Sequence, residues 1–250
     1  MGIFDGRVAV VTGAGSGLGG AVARQVAGEG APVAVFDIAS DAGEKTAAAI
    51  AEQGGQARAY AVDVSDPDSV KNAMDAVAKE LGRPELVVNC AGIGKFAHTH
   101  ELPYAEWRRI MGVNLDGTFL VCQAALPHLL DGGGSIVNIS SNAGVKAQPY
   151  SAAYATSKAG IVHLTRCIAD EYMKRGIRAN CVAPGGMETP LQNSFMEFPE
   201  GVDWKSMRKI MSSLGNSTPE EIANVVTFVL SDACRYMTGS VLSIDGGITV

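Results

Sequence analysis

The sequence has few cysteines, and they are not spaced as a metal site or a disulfide framework requires. The five are an odd number and lie far apart, at Cys90, Cys122, Cys167, Cys181 and Cys234. No CxxC pair occurs, although zinc knuckles and small disulfide scaffolds depend on closely paired cysteines. We therefore expect free thiols, no metal site and a reducing, cytoplasmic location.

Long apolar runs and clusters of charge are missing as well. No apolar stretch is long enough to span a bilayer, and the N-terminus does not resemble a secretory leader. The net charge is −6 with both signs spread along the chain, so no basic surface for nucleic acid is expected. The chain is instead rich in hydrophobic residues, at 47% against 18% charged, which is sufficient for a large buried core.

Short apolar runs alternate with longer segments of helical period. Strands are predicted at 7–12, 32–37, 57–62, 85–89, 135–140, 177–182 and 241–245, and helices near 18–29, 41–53, 67–81, 103–130, 153–174 and 219–231. Apolar strands separated by helices are typical of a parallel sheet covered on both faces. The pattern predicts a doubly wound, Rossmann-type α/β fold of about seven strands in a single domain, 1–250.

Residues 190–216 depart from that alternation, because they contain no clear strand and mix apolar with charged residues. A long insertion in a compact domain is commonly functional, which predicts a substrate lid; an ordinary surface excursion is the alternative. Six apolar residues in or beside this segment either line a substrate pocket or pack in the core. They are Met187, Phe195, Met196, Phe198, Met207 and Met211.

A glycine-rich string, TGAGSGLG at 12–19, follows the first predicted strand and begins the first predicted helix. Glycine allows a tight turn and close approach of a ligand, while free N–H groups at a helix N-terminus hold phosphate charge. Strand, loop and helix in this order are the context that a dinucleotide-binding loop needs. Asp37 ends the second strand, where a carboxylate accepts hydrogen bonds from an adenosine ribose and repels a 2′-phosphate. Neither Ser16 nor Ile38 adds a cation, so NAD is predicted as the cofactor.

Three further positions carry candidate chemistry. Tyr154 and Lys158 share a helix face one turn apart, and an ammonium beside a phenol lowers the pKa of that phenol. Ser141 closes the fifth strand, where side chains reach the ligand crevice of a doubly wound sheet. Asn114 lies inside an apolar helix, where an amide needs hydrogen-bond partners; it is either a functional residue or a satisfied core asparagine. One HxH pair, His98 and His100, is typical of a solvated loop.

Together these features resemble the short-chain dehydrogenase/reductase family along the whole chain. The matching segments are TGAGSGLG (12–19), Asp63-Val64, NCAG (89–92), Asn114, Ser141, YATSK (154–158), PGGMETP (184–190) and DGG (245–247). Tyr154 also follows Ser141 by 13 residues, as in that family. Cys90 departs from the pattern, because the family usually has a second asparagine there. We expect little consequence, since the backbone does most of the binding at that position.

The resemblance implies roles for individual residues. Tyr154 would be the general acid/base, Lys158 would lower its pKa and bind the nicotinamide ribose, and Ser141 would orient the substrate oxygen. Asn114 would hold a water in a proton relay behind Lys158. The implied cofactor-binding residues are Gly13, Ser16, Gly17, Leu18, Gly19, Asp37, Ile38, Asp63, Val64, Asn89, Ala91, Gly92, Tyr154, Lys158, Pro184, Gly185, Met187 and Thr189.

The implied function is an NAD-dependent oxidoreductase that moves a hydride between nicotinamide and a secondary alcohol or ketone, such as a polyol, a hydroxysteroid-like compound or another small carbonyl. The first alternative is a 3-oxoacyl-[acyl-carrier-protein] reductase using NADPH. Asp37 disfavours it, as does Asp131-Gly132 where those relatives carry basic residues, although Arg175 could still serve as a docking cation. A nucleotide-sensing protein without catalysis is disfavoured by the intact Tyr154, Lys158 and Ser141. Relatives commonly form homotetramers through the helices here at 103–130 and 153–174 and the C-terminal strand.

Overall fold

The computed structural model describes residues 2–195 and 197–250, and it contains one seven-stranded parallel sheet. The strands are β1 Val8–Thr12, β2 Val33–Asp37, β3 Ala57–Ala61, β4 Pro84–Asn89, β5 Gly134–Ile139, β6 Ile177–Pro184 and β7 Val241–Ile244. Their order across the sheet is β3-β2-β1-β4-β5-β6-β7, and every neighbouring pair is parallel. The predicted doubly wound fold is confirmed.

Helices cover both faces of the sheet. They are α1 Gly17–Gly28, α2 Ser40–Glu52, α3 Pro67–Glu80, α4 Tyr104–Met111, α5 Gly117–Leu129, α6 Ala152–Tyr172, α7 Pro190–Ser194, α8 Trp204–Met207 and α9 Pro219–Leu230. Within the described residues, no helix has both the length and the apolar character needed to cross a membrane.

Alternate residues of β1 show how the core is divided. Ala9 and Val11 pack with buried residues of α1 and α9, whereas Val8 and Val10 pack with α3 and α5 on the opposite face. Successive side chains of a strand point to opposite faces, so a strand with helices on both sides must be apolar at nearly every position. This burial explains the continuous apolar runs in the sequence.

The predicted helix 103–130 is interrupted, which corrects the sequence-based boundary. Residues Gly112–Asp116 form a π-helical turn between α4 and α5, so the two helices are joined without a loop. A π turn inserts extra backbone into a helix and commonly occurs at functional sites. Apolar periodicity over the whole segment continues through such an insertion, and the sequence therefore gave no sign of it.

The described residues of segment 190–216 form short elements: α7, α8 and a 3-10 turn at Arg208–Ile210. None of these described residues adds a strand to the sheet, as expected, and a bridge beside the segment joins Met187 to Ser217. The prediction for Met196 lies outside the described residues. This segment lies over the carboxyl ends of the strands. From β1 the strand order continues through β2 and β3 on one side and through β4 and β5 on the other, and a doubly wound fold leaves a crevice between β1 and β4, where this order reverses.

Candidate active site

A cavity of about 930 Å³ lies at the carboxyl ends of the strands, within the size range of small-molecule sites. It is bordered by nearly all of the residues that the family resemblance implies. These are Gly13, Ser16, Gly17, Leu18, Gly19, Asp37, Ile38, Asp63, Val64, Ala91, Gly92, Ser141, Tyr154, Lys158, Pro184, Gly185, Met187 and Thr189. Asn89 and Asn114 are not among these residues, and their surroundings are described below.

The glycine loop lies directly against the loop that follows β4. Gly13 has φ +62°, and a Cβ there would come within 2.9 Å of the Cα of Ala91. A Cβ on Gly19 would overlap the carbonyl of Gly13. The Thr12 hydroxyl accepts hydrogen bonds from the backbone N–H groups of Cys90 and Ala91, both at 3.1 Å. The two loops therefore form one rigid backbone cradle, and Thr12 is a structural partner that sequence reasoning missed.

Asp37 is held in a fixed orientation at the edge of this cradle. Its Oδ2 accepts a hydrogen bond from Gly15 N at 2.8 Å, and its Oδ1 accepts one from Ala39 N at 2.9 Å. Each carboxylate oxygen retains further acceptor capacity toward the cavity that it borders. Ser16 and Ile38, exposed beside it, bring no positive charge. The arrangement fits a diol that donates hydrogen bonds better than it fits a phosphate.

Asp63 and Val64 form the wall beyond Asp37. Oδ1 of Asp63 accepts hydrogen bonds from the backbone N–H and the hydroxyl of Ser65, at 2.9 and 2.7 Å, which fixes the turn after β3. Val64 is buried, and a Cβ on Gly117 of α5 would contact its side chain at 2.8 Å. An apolar side chain held this rigidly beside an aspartate turn suits one face of a planar base.

The loop after β6 closes the cradle from the other side. Gly185 N donates to Ile244 O at 3.0 Å, and a Cβ at Gly185 would approach the Cα of Asp245 to 2.8 Å. The Thr189 side chain lies against the first turn of α1, where a Cβ on Gly17 would contact it at 3.3 Å. The segment 184–189 is therefore positioned over the helix N-terminus that faces the cavity.

Tyr154 and Ser141 are brought together from different elements. Both are nearly fully buried, with 8% and 7% of their surface exposed, and the Ser141 side chain lowers the pKa of the Tyr154 phenol against the stronger, raising effect of burial. Ser141 Oγ also accepts from Ala143 N at 3.1 Å and donates to Asn142 Oδ1 at 3.0 Å. These bonds fix the hydroxyl of Ser141 at the end of β5, beside the phenol.

Lys158 lies beside Tyr154, and its predicted effect on the pKa of the phenol stays a prediction. Lys158 Nζ lies 5.7 Å from the centroid of the Tyr154 ring and donates a hydrogen bond to Ile139 O at 2.9 Å. Burial lowers the pKa of Lys158 to about 8, opposed by Cys181 and Cys90. Burial also raises the pKa of Tyr154, opposed by the Ser141 side chain. Desolvation is thus the main influence on both groups, and the ammonium donates to a backbone carbonyl.

Asn114 is fully buried in the π turn, and its side chain is satisfied within the protein. Oδ1 accepts from Ile93 N at 2.8 Å, while Nδ2 donates to Ile93 O at 2.9 Å and to Ser157 Oγ at 2.9 Å. The amide therefore joins the segment after β4 to α6, next to Lys158. These bonds agree with the alternative of a satisfied core asparagine, and the part of Asn114 in a proton relay stays a prediction.

Asn89 is directed away from the cavity, which corrects its place among the cofactor-binding residues. Its Nδ2 donates to Asn138 Oδ1 at 2.8 Å and to Cys122 Sγ at 3.3 Å, and Asn138 donates to Thr165 Oγ1 at 2.9 Å. Consecutive residues of a strand face opposite ways, so Cys90 borders the cavity instead. Burial raises the pKa of Cys90 to about 12, which makes its thiol an inert wall rather than a nucleophile.

A clasp formed by Tyr150 and His98 connects the lid to the base of α6. Tyr150 has φ +61°, a conformation that a residue with a side chain adopts only when its contacts impose it. Its carbonyl accepts from Ala97 N and its hydroxyl accepts from Asp203 N, both at 2.8 Å. The His98 ring packs edge-on against Tyr150 at 5.1 Å and shares a 2.8 Å hydrogen bond with Glu200 O.

His98 lies in a loop, as predicted, and its ring is half-buried against segment 190–216. Sequence reasoning did not single out Tyr150. Among the residues that the structure describes, no group of three or more His, Cys, Asp or Glu side chains is placed to hold a metal ion.

Comparisons with known proteins agree with this geometry. A family model described as enoyl-(acyl carrier protein) reductase matches residues 13–249. The chain is 39% identical to the D-threitol dehydrogenase of Mycolicibacterium smegmatis, over 99% of this chain and 94% of that protein. It is 36% identical to a 3-oxoacyl-[acyl-carrier-protein] reductase of Thermotoga maritima, over 99% of both.

A solved structure of a short-chain type dehydrogenase/reductase from Mycobacterium marinum superimposes with a TM-score of 0.90 at 36% identity, covering 98% of this chain and 96% of that one. The fold, the cradle and the paired tyrosine and serine define a nicotinamide-dependent oxidoreductase. The chain belongs to the short-chain dehydrogenase/reductase family.

Proposed function

We propose that this protein is an NAD(H)-dependent oxidoreductase that interconverts a secondary alcohol and the corresponding ketone. The observation that carries the proposal is that the buried side chains of Tyr154, Ser141 and Lys158 border the same cavity as the backbone cradle. A pair of hydroxyl groups that can hold and protonate one oxygen is what carbonyl reduction requires of a protein.

The cradle fits a dinucleotide. A Cβ at Gly13 or Gly19 would fill the space between the loops, and the N-terminus of α1 faces that space, as pyrophosphate binding requires. Asp37 would hold the adenosine ribose, Asp63-Val64 the adenine, and the segment 184–189 the carboxamide end. When bound, the nicotinamide supplies or accepts the hydride.

The protein's own contribution is to manage one proton. In reduction, the neutral phenol of Tyr154 donates its proton to the carbonyl oxygen. The Ser141 hydroxyl turns from Asn142 Oδ1 to donate its hydrogen bond to the same oxygen. Burial raises the pKa of Tyr154, so the proton is retained until the oxygen acquires charge. In oxidation, Tyr154 accepts the alcohol proton, and the buried ammonium of Lys158 stabilises the phenolate that this requires.

The preference for NAD over NADP rests on Asp37. Two backbone N–H groups hold this carboxylate at the rim, and a 2′-phosphate there would meet a negative charge. The same feature weighs against a 3-oxoacyl reductase that uses NADPH, although one relative carries that name. Retention of Tyr154, Ser141 and Lys158 in one site weighs against a sensor without catalysis.

The test is a fluorescence titration of the purified protein with NADH and with NADPH, followed by turnover assays on alcohols, ketones, and acetoacetyl and crotonyl thioesters. We expect tighter binding of NADH, and Asp37→Asn to reduce the NADH-to-NADPH preference by about tenfold while keeping an acceptor at this position. NADPH preference with turnover of acetoacetyl thioesters would instead establish the acyl-reductase function, and turnover of crotonyl thioesters alone would establish enoyl reduction.

We further propose a homotetramer in the cytoplasm. Phe119 on α5 and Phe228 on α9 are 45% and 51% exposed in the single chain, and such rings suit a contact between copies. All five cysteines are free, which supports a reducing compartment. Light scattering on the purified protein measures the assembly, and a monomer would contradict it.

A further inference from the structure

A row of aromatic rings extends outward from the reacting phenol. Phe195 packs edge-on against Tyr154 at 5.0 Å between ring centroids, and Phe96 packs edge-on against Phe195 at 4.9 Å. Phe198 stacks on Phe96 at 5.3 Å, and Trp204 meets Phe198 at 4.9 Å. Phe195, Phe96 and Phe198, which we call the aromatic row, all border the cavity.

The fold holds the aromatic row in place. A Cβ on Gly94 would overlap the ring of Phe195, so the absence of a side chain at Gly94 creates the space in which that ring lies. Phe96 is only 7% exposed, and Met207, which also borders the cavity, is 1% exposed. The wall beside the reacting phenol is therefore apolar and packed from behind.

Few polar side chains flank the aromatic row. Arg109 borders the cavity, but Glu106 neutralises it through hydrogen bonds of 2.9 and 2.6 Å. Asn142 accepts the hydrogen bond of the Ser141 hydroxyl. Gln148, Gln192 and Asn216 add three uncharged amides at the cavity wall, and the Ser212 hydroxyl there donates to Gly246 O at 2.8 Å. This is a small polar inventory for a ligand with several hydroxyl groups.

We propose that the substrate is a secondary alcohol or ketone with an apolar, alicyclic or similarly bulky carbon skeleton, rather than a polyol. The aromatic row determines this specificity by packing against the carbon skeleton while Tyr154 and Ser141 hold the reacting oxygen. The inference rests on the proposed function, because it assigns a substrate class to the same site.

The physical reason is that an aromatic ring stabilises a carbon skeleton packed against it but offers no strong hydrogen-bond partner to a hydroxyl group. Apolar surface leaves water favourably when it packs on rings, and each added methylene in such a pocket changes kcat/KM by roughly tenfold or more. A hydroxyl buried on the same rings loses its hydrogen bonds to water without replacement. Each such loss disfavours the polyol by about tenfold.

The experiment compares kcat/KM for cyclohexanol and for D-threitol with NAD in four proteins. These are the wild type, Phe198→Ser, the conservative Phe198→Leu, and Tyr236→Ser as a matched control at a ring that is fully exposed outside the cavity. We expect the kcat/KM of the wild type to be about a hundredfold higher for cyclohexanol than for threitol. Two or more hydroxyl groups of threitol would be buried without partners, and each costs about tenfold. Phe198→Ser should reduce the cyclohexanol value about tenfold and leave the threitol value within about twofold, while Phe198→Leu retains most of the preference.

Two further measurements separate the possible failures. Binding of NADH and the melting temperature are recorded for every variant, with Phe195→Leu replacing Phe198→Ser if the latter does not fold. A protein that does not bind NADH contradicts the proposed function itself. Three results would overturn the substrate class and leave the cofactor assignment intact, provided that NADH still binds. The wild type could prefer threitol, it could turn over neither alcohol, or Phe198→Ser could lose both activities equally.

Discussion

The cofactor half and the substrate half of the cavity are built by different means. The cofactor half consists largely of backbone, with Gly13 against Ala91 and Asp37 held by two N–H groups. The substrate half consists of side chains that meet from distant segments, as when Phe96 and Phe198 stack. A ligand shared by many enzymes can be held by main chain and short loops, whereas an individual substrate is selected by side chains on a long connection.

Tyr154 and Lys158 lie where the two halves meet, and burial governs both. It raises the pKa of the phenol and lowers that of the ammonium, so burial shifts both groups toward their neutral forms. Proton transfer at this site therefore depends on the exclusion of water from the two side chains. Variants that change one half, the other half or their junction should give separable results.

The largest effect is expected at the junction, from Tyr154→Phe. The phenylalanine ring keeps its contact with Phe195 but has no proton to transfer, so kcat should fall by about 10²- to 10⁴-fold. NADH affinity, measured by fluorescence, should stay within about twofold, since this variant removes one hydroxyl and no part of the backbone cradle. Retention of more than a tenth of wild-type kcat would show that another group handles the proton.

The next largest effect is expected from two matched glycine substitutions, one in the cofactor half of the cavity and one in the substrate half. Gly13→Ala brings a Cβ against the Ala91 backbone at a positive φ, so the NADH Kd should rise at least about tenfold. Gly94→Ala displaces the Phe195 ring instead, so the substrate KM should rise while NADH affinity is kept. Titration and steady-state kinetics on both variants test the separation, and equal loss of NADH binding in both would refute it.

A smaller effect concerns stability and pH at Lys158. Its pKa is about 8 in the fold against 10.5 for the free side chain, so between these values the unfolded chain binds more protons. The free energy of unfolding should therefore rise with pH across that window, by up to about 3 kcal/mol in total, and Lys158→Met should lack this rise.

Urea denaturation of wild type and Lys158→Met at pH 7 to 10.5 provides the measurement. The difference between the two proteins isolates Lys158 from the cysteines and tyrosines, whose raised pKa values act in the opposite direction. Parallel pH profiles for the two proteins would mean that the amine is not desolvated.

The smallest effect is expected from Tyr150→Phe at the clasp. Loss of the hydroxyl leaves Asp203 N without its acceptor while the ring contact with His98 remains. Because the lid is held less firmly, the substrate KM should rise about two- to fivefold, the size of one modest hydrogen bond, with kcat nearly unchanged. A fall in kcat at constant KM would place Tyr150 in the chemistry rather than in positioning.

The sequence by itself determined the sheet, the cradle and most of the residues that border the cavity. Strand predictions such as 177–182 agree with the structure to within two residues, because a strand covered on both faces must be apolar throughout. The glycine loop and the position of Asp37 at the end of β2 were also predicted from the sequence. Their function depends on backbone geometry within a few residues of a strand end, and local sequence specifies that geometry.

Only the tertiary structure decided which way the buried amides face and what packs around the phenol. Asn89 and Asn114 bond to Asn138 and Ile93, partners that lie 49 and 21 residues away in the chain. Phe195 lies in the space left at Gly94, about a hundred residues earlier in the sequence. Such contacts arise when separate loops meet at one edge of the sheet, and desolvation there sets the pKa values of Tyr154 and Lys158. No local sequence pattern predicts these contacts, because the burial and hydrogen bonding that stabilise them exist only when the distant segments are packed together.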